Sequence, residues 1–109
     1  YVIDGDTFKT IDNHVVRIWG IDTPEKDEPF YQTARLTLEG IVDGVALDCN
    51  YLNQGKYKRD VMRCYAGDDD IGALMVRRGM AKDYESVSGG YYMRDEIEAQ
   101  KAKRGIWKE

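Results

Sequence analysis

Tyr1-Val2-Ile3-Asp4-Gly5-Asp6-Thr7-Phe8-Lys9-Thr10-Ile11-Asp12-Asn13-His14-Val15-Val16-Arg17-Ile18-Trp19-Gly20-Ile21 is the stretch whose pattern decides the fold. It is rich in β-branched and aromatic residues, and its apolar positions alternate with polar ones as in strands that bury one face. Three strands are predicted: Tyr1 to Asp4, Thr7 to Ile11 and His14 to Ile21. Asp4-Gly5-Asp6 and Asp12-Asn13 are the turns between them.

Beyond this stretch the period changes. Ala34, Leu36, Leu38, Ile41 and Val42 recur at helical spacing, and Gly44 closes that helix near Asp43. Val45 to Leu52 and Asp60 to Ala66 read as two further strands joined through Asn53-Gln54-Gly55. Asp70 is placed to cap a helix from Ile71 to Arg78, with Gly79 as its stop. A last helix is predicted from Tyr92 to Arg104, ending at Gly105, after which Ile106 and Trp107 pack back on the body. A strand-rich start, an inserted helix and a helical close give an α+β domain whose strands form a small barrel. The 109 residues carry no repeat or linker and fit a single domain, 1–109. The chain opens without Met inside a predicted strand, so an N-terminal segment is expected to have been removed.

Composition narrows the chemistry. No apolar run approaches the roughly 18 residues of a membrane span, and no membrane partner is expected. The net charge of −4 argues against a general nucleic-acid coat, which gains affinity from a basic excess. Only the local field at a cleft matters for a nuclease, however. Lys56, Lys58, Arg59 and Arg63 crowd one stretch, while acids gather at 22–28 and 68–70. With one histidine, His14 beside a turn, and two cysteines, neither a structural zinc site nor serine–histidine chemistry has its parts. Any hydrolytic chemistry must therefore rest mainly on carboxylates and arginines, with or without an oxygen-liganded metal.

Three clusters offer those groups. Asp4-Gly5-Asp6-Thr7 is either a tight turn or a source of oxygen ligands, from Asp6, for a hard cation. Asp22-Thr23-Pro24-Glu25 reads equally as a capping box on a short helical turn. That reading gives no role to Arg17, a charge in an apolar strand that needs a phosphate or a carboxylate as partner. Lys56-Tyr57-Lys58-Arg59 is a solvated basic turn or a phosphate grip. In the second case Arg59 binds bidentately and Tyr57 adds a hydroxyl, with Lys56 beside them.

In order along the chain, Val2-Ile3-Asp4-Gly5-Asp6-Thr7, Arg17 with Asp22-Thr23-Pro24-Glu25, and Tyr57-Lys58-Arg59 closely resemble the staphylococcal nuclease family. Leu74-Met75-Val76-Arg77-Arg78-Gly79-Met80-Ala81 and the stretch from Glu98 to Trp107 resemble its last two helices. The resemblance implies a five-stranded OB-fold barrel with three helices. It implies that Asp6, Asp22 and the backbone carbonyl of Thr23 hold calcium, with Asp4 behind them. Glu25 would act as general base or orient the attacking water, and Arg17 and Arg59 would bind the scissile phosphate. The substrates would be DNA and RNA, cut to leave 3′-phosphate ends, and the protein would act as a monomer.

The sequence also departs from the family. Lys58 stands where glycine usually precedes the second arginine, and the segment from Pro24 to Tyr31 is shorter. The acidic total differs from the basic character of the staphylococcal enzyme. Of the tyrosines that stack a base, Tyr84 is the nearest match, and packing beside the last helix is its other reading. Two alternatives to an enzyme remain at this stage: a non-catalytic nuclease-like binding module, and an OB-fold that binds oligonucleotides by stacking alone. Cys49 and Cys64 lie in the two strands flanking the hairpin. They are predicted to form a disulfide if its tip lies near Lys56 and Tyr57, the other reading being two buried free thiols. A secreted or periplasmic setting is expected, and it favours the bond.

Overall fold

In a computed structural model of the chain, which describes residues 1–108, the N-terminal stretch folds as four short strands. These are β1 (Val2–Asp4), β2 (Thr7–Lys9), β3 (Val15–Ile18) and β4 (Ile21–Asp22). β2 stops before Ile11, which is fully exposed, because Thr10 closes a turn: its N–H donates to the His14 carbonyl, and Asn13 takes the left-handed conformation. The predicted run from His14 to Ile21 is broken at Gly20, whose φ of +79° a side chain would strain. A Cβ there would also press on Tyr92 and Ser88. β4 therefore leaves the main sheet and pairs with β8 (Lys82–Asp83).

Helix α1 (Tyr31–Val42) buries Ala34, Leu38 and Ile41 of the predicted stripe, leaves Leu36 exposed on its other side, and begins three residues before Ala34. β5 (Leu47–Gln54) and β6 (Asp60–Ala66) form the hairpin. Asn53 and Gln54, predicted as its turn, are in the ladder opposite Val61 and Asp60. The turn moves to residues 55–59, where Lys56–Lys58 make one 3₁₀ turn. After β7 (Asp69–Asp70), helix α2 (Ile71–Arg77) starts where predicted, with Asp70 accepting from the N–H groups of Gly72 and Ala73. A one-turn helix α3 (Glu85–Ser88) precedes α4 (Met93–Lys101), so there are four helices among the described residues rather than three. The two segments cross so closely that a Cβ on Gly79 would run into the Arg104 carbonyl and one on Gly105 into the Gly79 carbonyl, and the Ile106 N–H donates to the Gly79 carbonyl. This contact turns Ile106 and Trp107 back onto the body.

The main sheet runs β1-β2-β3-β6-β5, antiparallel except for β3 beside β6, with β7 on β6. These five strands are the predicted ones and the fold is α+β, but they do not close into the expected barrel among the described residues. Among the described residues the path is open between β5 and β1; a groove of about 1020 Å³ lies there, lined by Val2, Phe8, Val42 and Leu47 among others. The core lies under the sheet, where Val16, Ile18, Cys64, Ile71, Met75 and Tyr92 are fully buried. Cys49 and Cys64 stand directly opposite each other on β5 and β6 and are joined by a disulfide. No described helix is long and apolar enough to cross a membrane.

Candidate active site

The outer face of β3 carries the central group. Val16 and Ile18 point into the core, so Arg17 between them projects to the other side. Its guanidinium pairs with the Asp6 carboxylate at 3.0 Å and donates to the carbonyls of Ile18 and Ile21. Both side chains are largely buried, and Asp6 is the carboxylate partner that a buried charge requires.

Asp6 sits in the β1–β2 turn, whose position depends on Gly5. A Cβ on Gly5 would lie 2.9 Å from the Ala34 Cβ and 3.2 Å from the Thr23 Cβ. Only glycine lets this turn lie against both α1 and Thr23. Gly5→Ala should therefore force the turn off Thr23 and destabilise the protein by about 1–3 kcal/mol, the usual cost of overpacking. Chemical denaturation checks this; a midpoint equal to that of the wild type would mean the close approach has no such role.

Asp4 and Asp6 titrate as a pair. Burial raises the Asp4 carboxyl first, then its hydrogen bond to Asp6 and the negative charge there, up to about 6 from 3.8. Burial also acts to raise Asp6. There it is outweighed by the bond from Asp4, the Arg17 guanidinium and the hydroxyls of Thr7 and Thr23, which hold Asp6 below the usual range. Below about pH 6, Asp4 thus keeps the proton and Asp6 the charge. Because the folded state binds the Asp4 proton more tightly than the unfolded state, this stabilisation is complete below about pH 4. It is lost as pH rises through about 6. Asp4→Asn keeps a carbonyl acceptor and cannot ionise. Without metal it should be more stable than wild type near neutral pH by about 1 kcal/mol, after discounting for the half-exposed position. The gain should vanish near pH 4. Thermal midpoints at the two pH values test it, and a pH-independent difference would refute it.

The remaining predicted residues flank this cluster. Asp22 lies exposed on β4, opposite Lys82, and Thr23 is buried beside it. The capping-box reading of 22–25 is not realised, since no helix follows Asp22. Glu25 is exposed in the next loop. Its N–H donates to the Glu28 carboxylate at 2.6 Å, and the Glu28 N–H donates to its carbonyl, so Glu28 pins the loop. Arg59 follows the 3₁₀ turn, where Tyr57 and Lys58 both take positive φ; the Lys58 value of +58° is one that glycine adopts without strain. The Arg59 Nε donates to the Lys56 carbonyl, and the guanidinium lies 5.7 Å from the centre of the exposed Tyr57 ring. Val61 pairs with Arg17, and Arg59 lies two residues before Val61, just ahead of β6. Tyr84 is half-exposed and donates its N–H to the Gly20 carbonyl.

The structure thus joins Asp4, Asp6, Arg17 and Thr23, and leaves Glu25 and Arg59 beside them on separate loops. No hydrogen bond or ion pair connects those two to Asp6 or Arg17 among the described residues. Nor do three His, Cys, Asp or Glu side chains converge as a metal-binding group among them. The side chains of Asp4, Thr7 and Thr23 around Asp6 offer oxygen atoms, the ligand type that a hard cation takes. His14 lies apart, exposed between Asp12 and Asp60. Sequence reasoning missed Glu28 and Arg63. Glu28 has a signal in its spacing of three from Glu25; Arg63 reads in sequence only as part of the basic stretch 56–63.

The sequence of this arrangement has a known counterpart. The description "Staphylococcal nuclease homologue" matches residues 15–109. The chain belongs to the staphylococcal nuclease family. It is 32% identical to the probable endonuclease LCL3 of Clavispora lusitaniae over 85% of its own length and 47% of that protein. It is 29% identical to an uncharacterized endonuclease of Haemophilus influenzae over 97% of its length and 62% of that protein. The chain therefore spans about half to two-thirds of these nuclease-family relatives. Arg17, Asp22, Thr23, Glu25 and Arg59 lie inside the family match.

Proposed function

We propose that this chain is a calcium-dependent phosphodiesterase that hydrolyses DNA and RNA and leaves 3′-phosphate ends. The observation that carries the reading is the Arg17–Asp6 pair beside Thr23: a guanidinium and an ionised carboxylate held together at one edge of the sheet. Membership of a nuclease family, with relatives named endonucleases, supports the same chemistry.

Asp6, Asp22 and the Thr23 carbonyl would hold calcium, with Asp4 behind Asp6. When bound, the ion supplies positive charge against the phosphate oxygens. Arg17 and Arg59 meet the same oxygens, where charge grows as water attacks. Glu25 accepts a proton from that water as its oxygen bonds to phosphorus. The P–O5′ bond breaks and the departing 5′-oxygen is protonated, leaving phosphate on the 3′-oxygen. Lys56 and Tyr57 would extend the grip on the backbone. The Cys49–Cys64 disulfide supports a secreted or periplasmic setting, and the chain is taken to act as a monomer.

Incubation with single-stranded DNA and calcium, then with excess chelator, tests the reading. Cleavage should need calcium, and magnesium should give far less turnover because of its stricter octahedral geometry. Full activity in chelator would remove the metal assignment. Binding without cleavage in calcium would make the chain a non-catalytic nuclease-like module.

A further inference from the structure

Resting on the calcium reading, we infer that Trp107 is a positioning residue for the proposed calcium ligand Asp22. Its ring holds the Lys82 ammonium away from that carboxylate and so keeps it open to the cation.

The strand register brings the three side chains together. Asp22 and Lys82 are direct partners in the antiparallel β4–β8 pair. Residues directly opposite in such a pair point to the same side, with their Cβ atoms about 5 Å apart, so an aspartate and a lysine there are within reach of an ion pair. Both line one cavity of about 490 Å³, together with Glu25, Glu28 and Trp107. Yet no ion pair joins Lys82 to Asp22, Glu25 or Glu28 among the described residues. The Lys82 Nζ lies instead 5.6 Å from the centre of the Trp107 ring.

The ring is the fixed partner of the two. Trp107 ends a 3₁₀ turn, Gly105–Trp107, and its N–H donates to the Arg104 carbonyl. The Ile106 N–H donates to the carbonyl of Gly79, three residues before Lys82, where the backbones leave no room for a Cβ on Gly79 or Gly105. One crossing thus sets both the strand that carries the ammonium and the turn that carries the ring. Trp107 is half-buried, whereas Lys82 is exposed on a flexible four-carbon stem. An exposed cation–π contact and an opposite-charge cross-strand pair are attractions of the same order. The Trp107 face therefore holds the ammonium against the pull of Asp22, and without that face the lysine turns to the carboxylate opposite. There it opposes calcium twice. It occupies the oxygens that a hard cation takes, and it puts a like charge beside the dication.

The test reads calcium affinity without substrate. Calcium is titrated at low salt, where exposed charges are least screened, while the NMR signal of the Thr23 amide next to Asp22 is followed. Trp107→Leu keeps apolar bulk and loses the ring face. It should raise the calcium Kd about 5-fold, the factor that corresponds to one opposite-charge cross-strand pair. Trp107→Met, which fills the space without a face, should do the same and covers the case in which the leucine variant does not fold. Trp107→Phe keeps a face and should bind close to wild type. Lys82→Met alone should bind calcium no more weakly than wild type, and added to Trp107→Leu it should restore the wild-type Kd. A merely structural Trp107 would not give that restoration, because Lys82→Met repairs no packing. An unchanged Kd in both Trp107→Leu and Trp107→Met, or a weakening that Lys82→Met does not reverse, would overturn the role of Trp107 alone. A wild type with no saturable calcium response removes the calcium reading itself, and this inference with it.

Discussion

Glu25→Gln should lower the rate of phosphodiester cleavage by about 100- to 10,000-fold while leaving the thermal midpoint unchanged. That range is what a general base contributes when it takes a proton in the transition state. Stability should not follow, because Glu25 is exposed and its links to Glu28 run through its own backbone N–H and carbonyl. Glutamine keeps the shape and both backbone bonds and removes only the charge that accepts the proton. Arg59→Ala should cost a similar factor, since an arginine that meets transition-state charge contributes on this scale. Its folded-state bond is one exposed contact to the Lys56 carbonyl, worth about 1 kcal/mol or less. Rates in calcium at fixed salt, with midpoints in the same buffer, separate the two effects. Near-normal rates in both folded variants would remove Glu25 and Arg59 from the chemistry.

The contrast between a loop-borne Glu25 and a buried Arg17 also marks how far the sequence could be read. Asp70 was legible as a cap because its job is local: an aspartate before an apolar helical run satisfies the first N–H groups whatever surrounds it. The charge of Arg17 in an apolar strand was legible as a demand for a partner, and Asp6 meets it. Gly20 was not legible as a break. A glycine in a strand run looks like an interior position until Tyr92 and Ser88 arrive from far along the chain to fill the space beside it. Asn53 and Gln54 have turn chemistry but stay in the ladder, because seven paired positions between β5 and β6 outweigh a local preference. The Arg63–Tyr91 hydrogen bond joins residues 28 apart in sequence, and neither β6 nor the start of α4 carries a pattern that announces the other. Long-range packing decided what spacing could not.

Arg17→Met should lose both stability and rate, and calcium should restore only the first. The variant removes a largely buried ion pair and leaves the carbonyls of Ile18 and Ile21 without their donor. Breaking a pair of this kind costs about 3 kcal/mol, which in a chain of this size lowers the thermal midpoint by more than about 10 °C. The sign of the pH dependence follows from Asp6. Its folded-state carboxyl is held below the unfolded value, so the stabilisation is present above about pH 4 and is lost as pH falls through the folded pKa. Part of that depression comes from Arg17. The gap between wild type and Arg17→Met should therefore be widest near neutral pH and narrow below pH 4. A cation held by Asp6 would replace the missing positive charge beside that carboxylate, so adding calcium should recover much of the midpoint. It cannot replace a guanidinium that meets the phosphate oxygens, and the rate should stay about 100-fold or more below wild type. Melting curves and cleavage rates, each with and without calcium, give four numbers for the one variant. If calcium restores the rate together with the midpoint, Arg17 is a structural partner of Asp6 and has no part in binding the scissile phosphate.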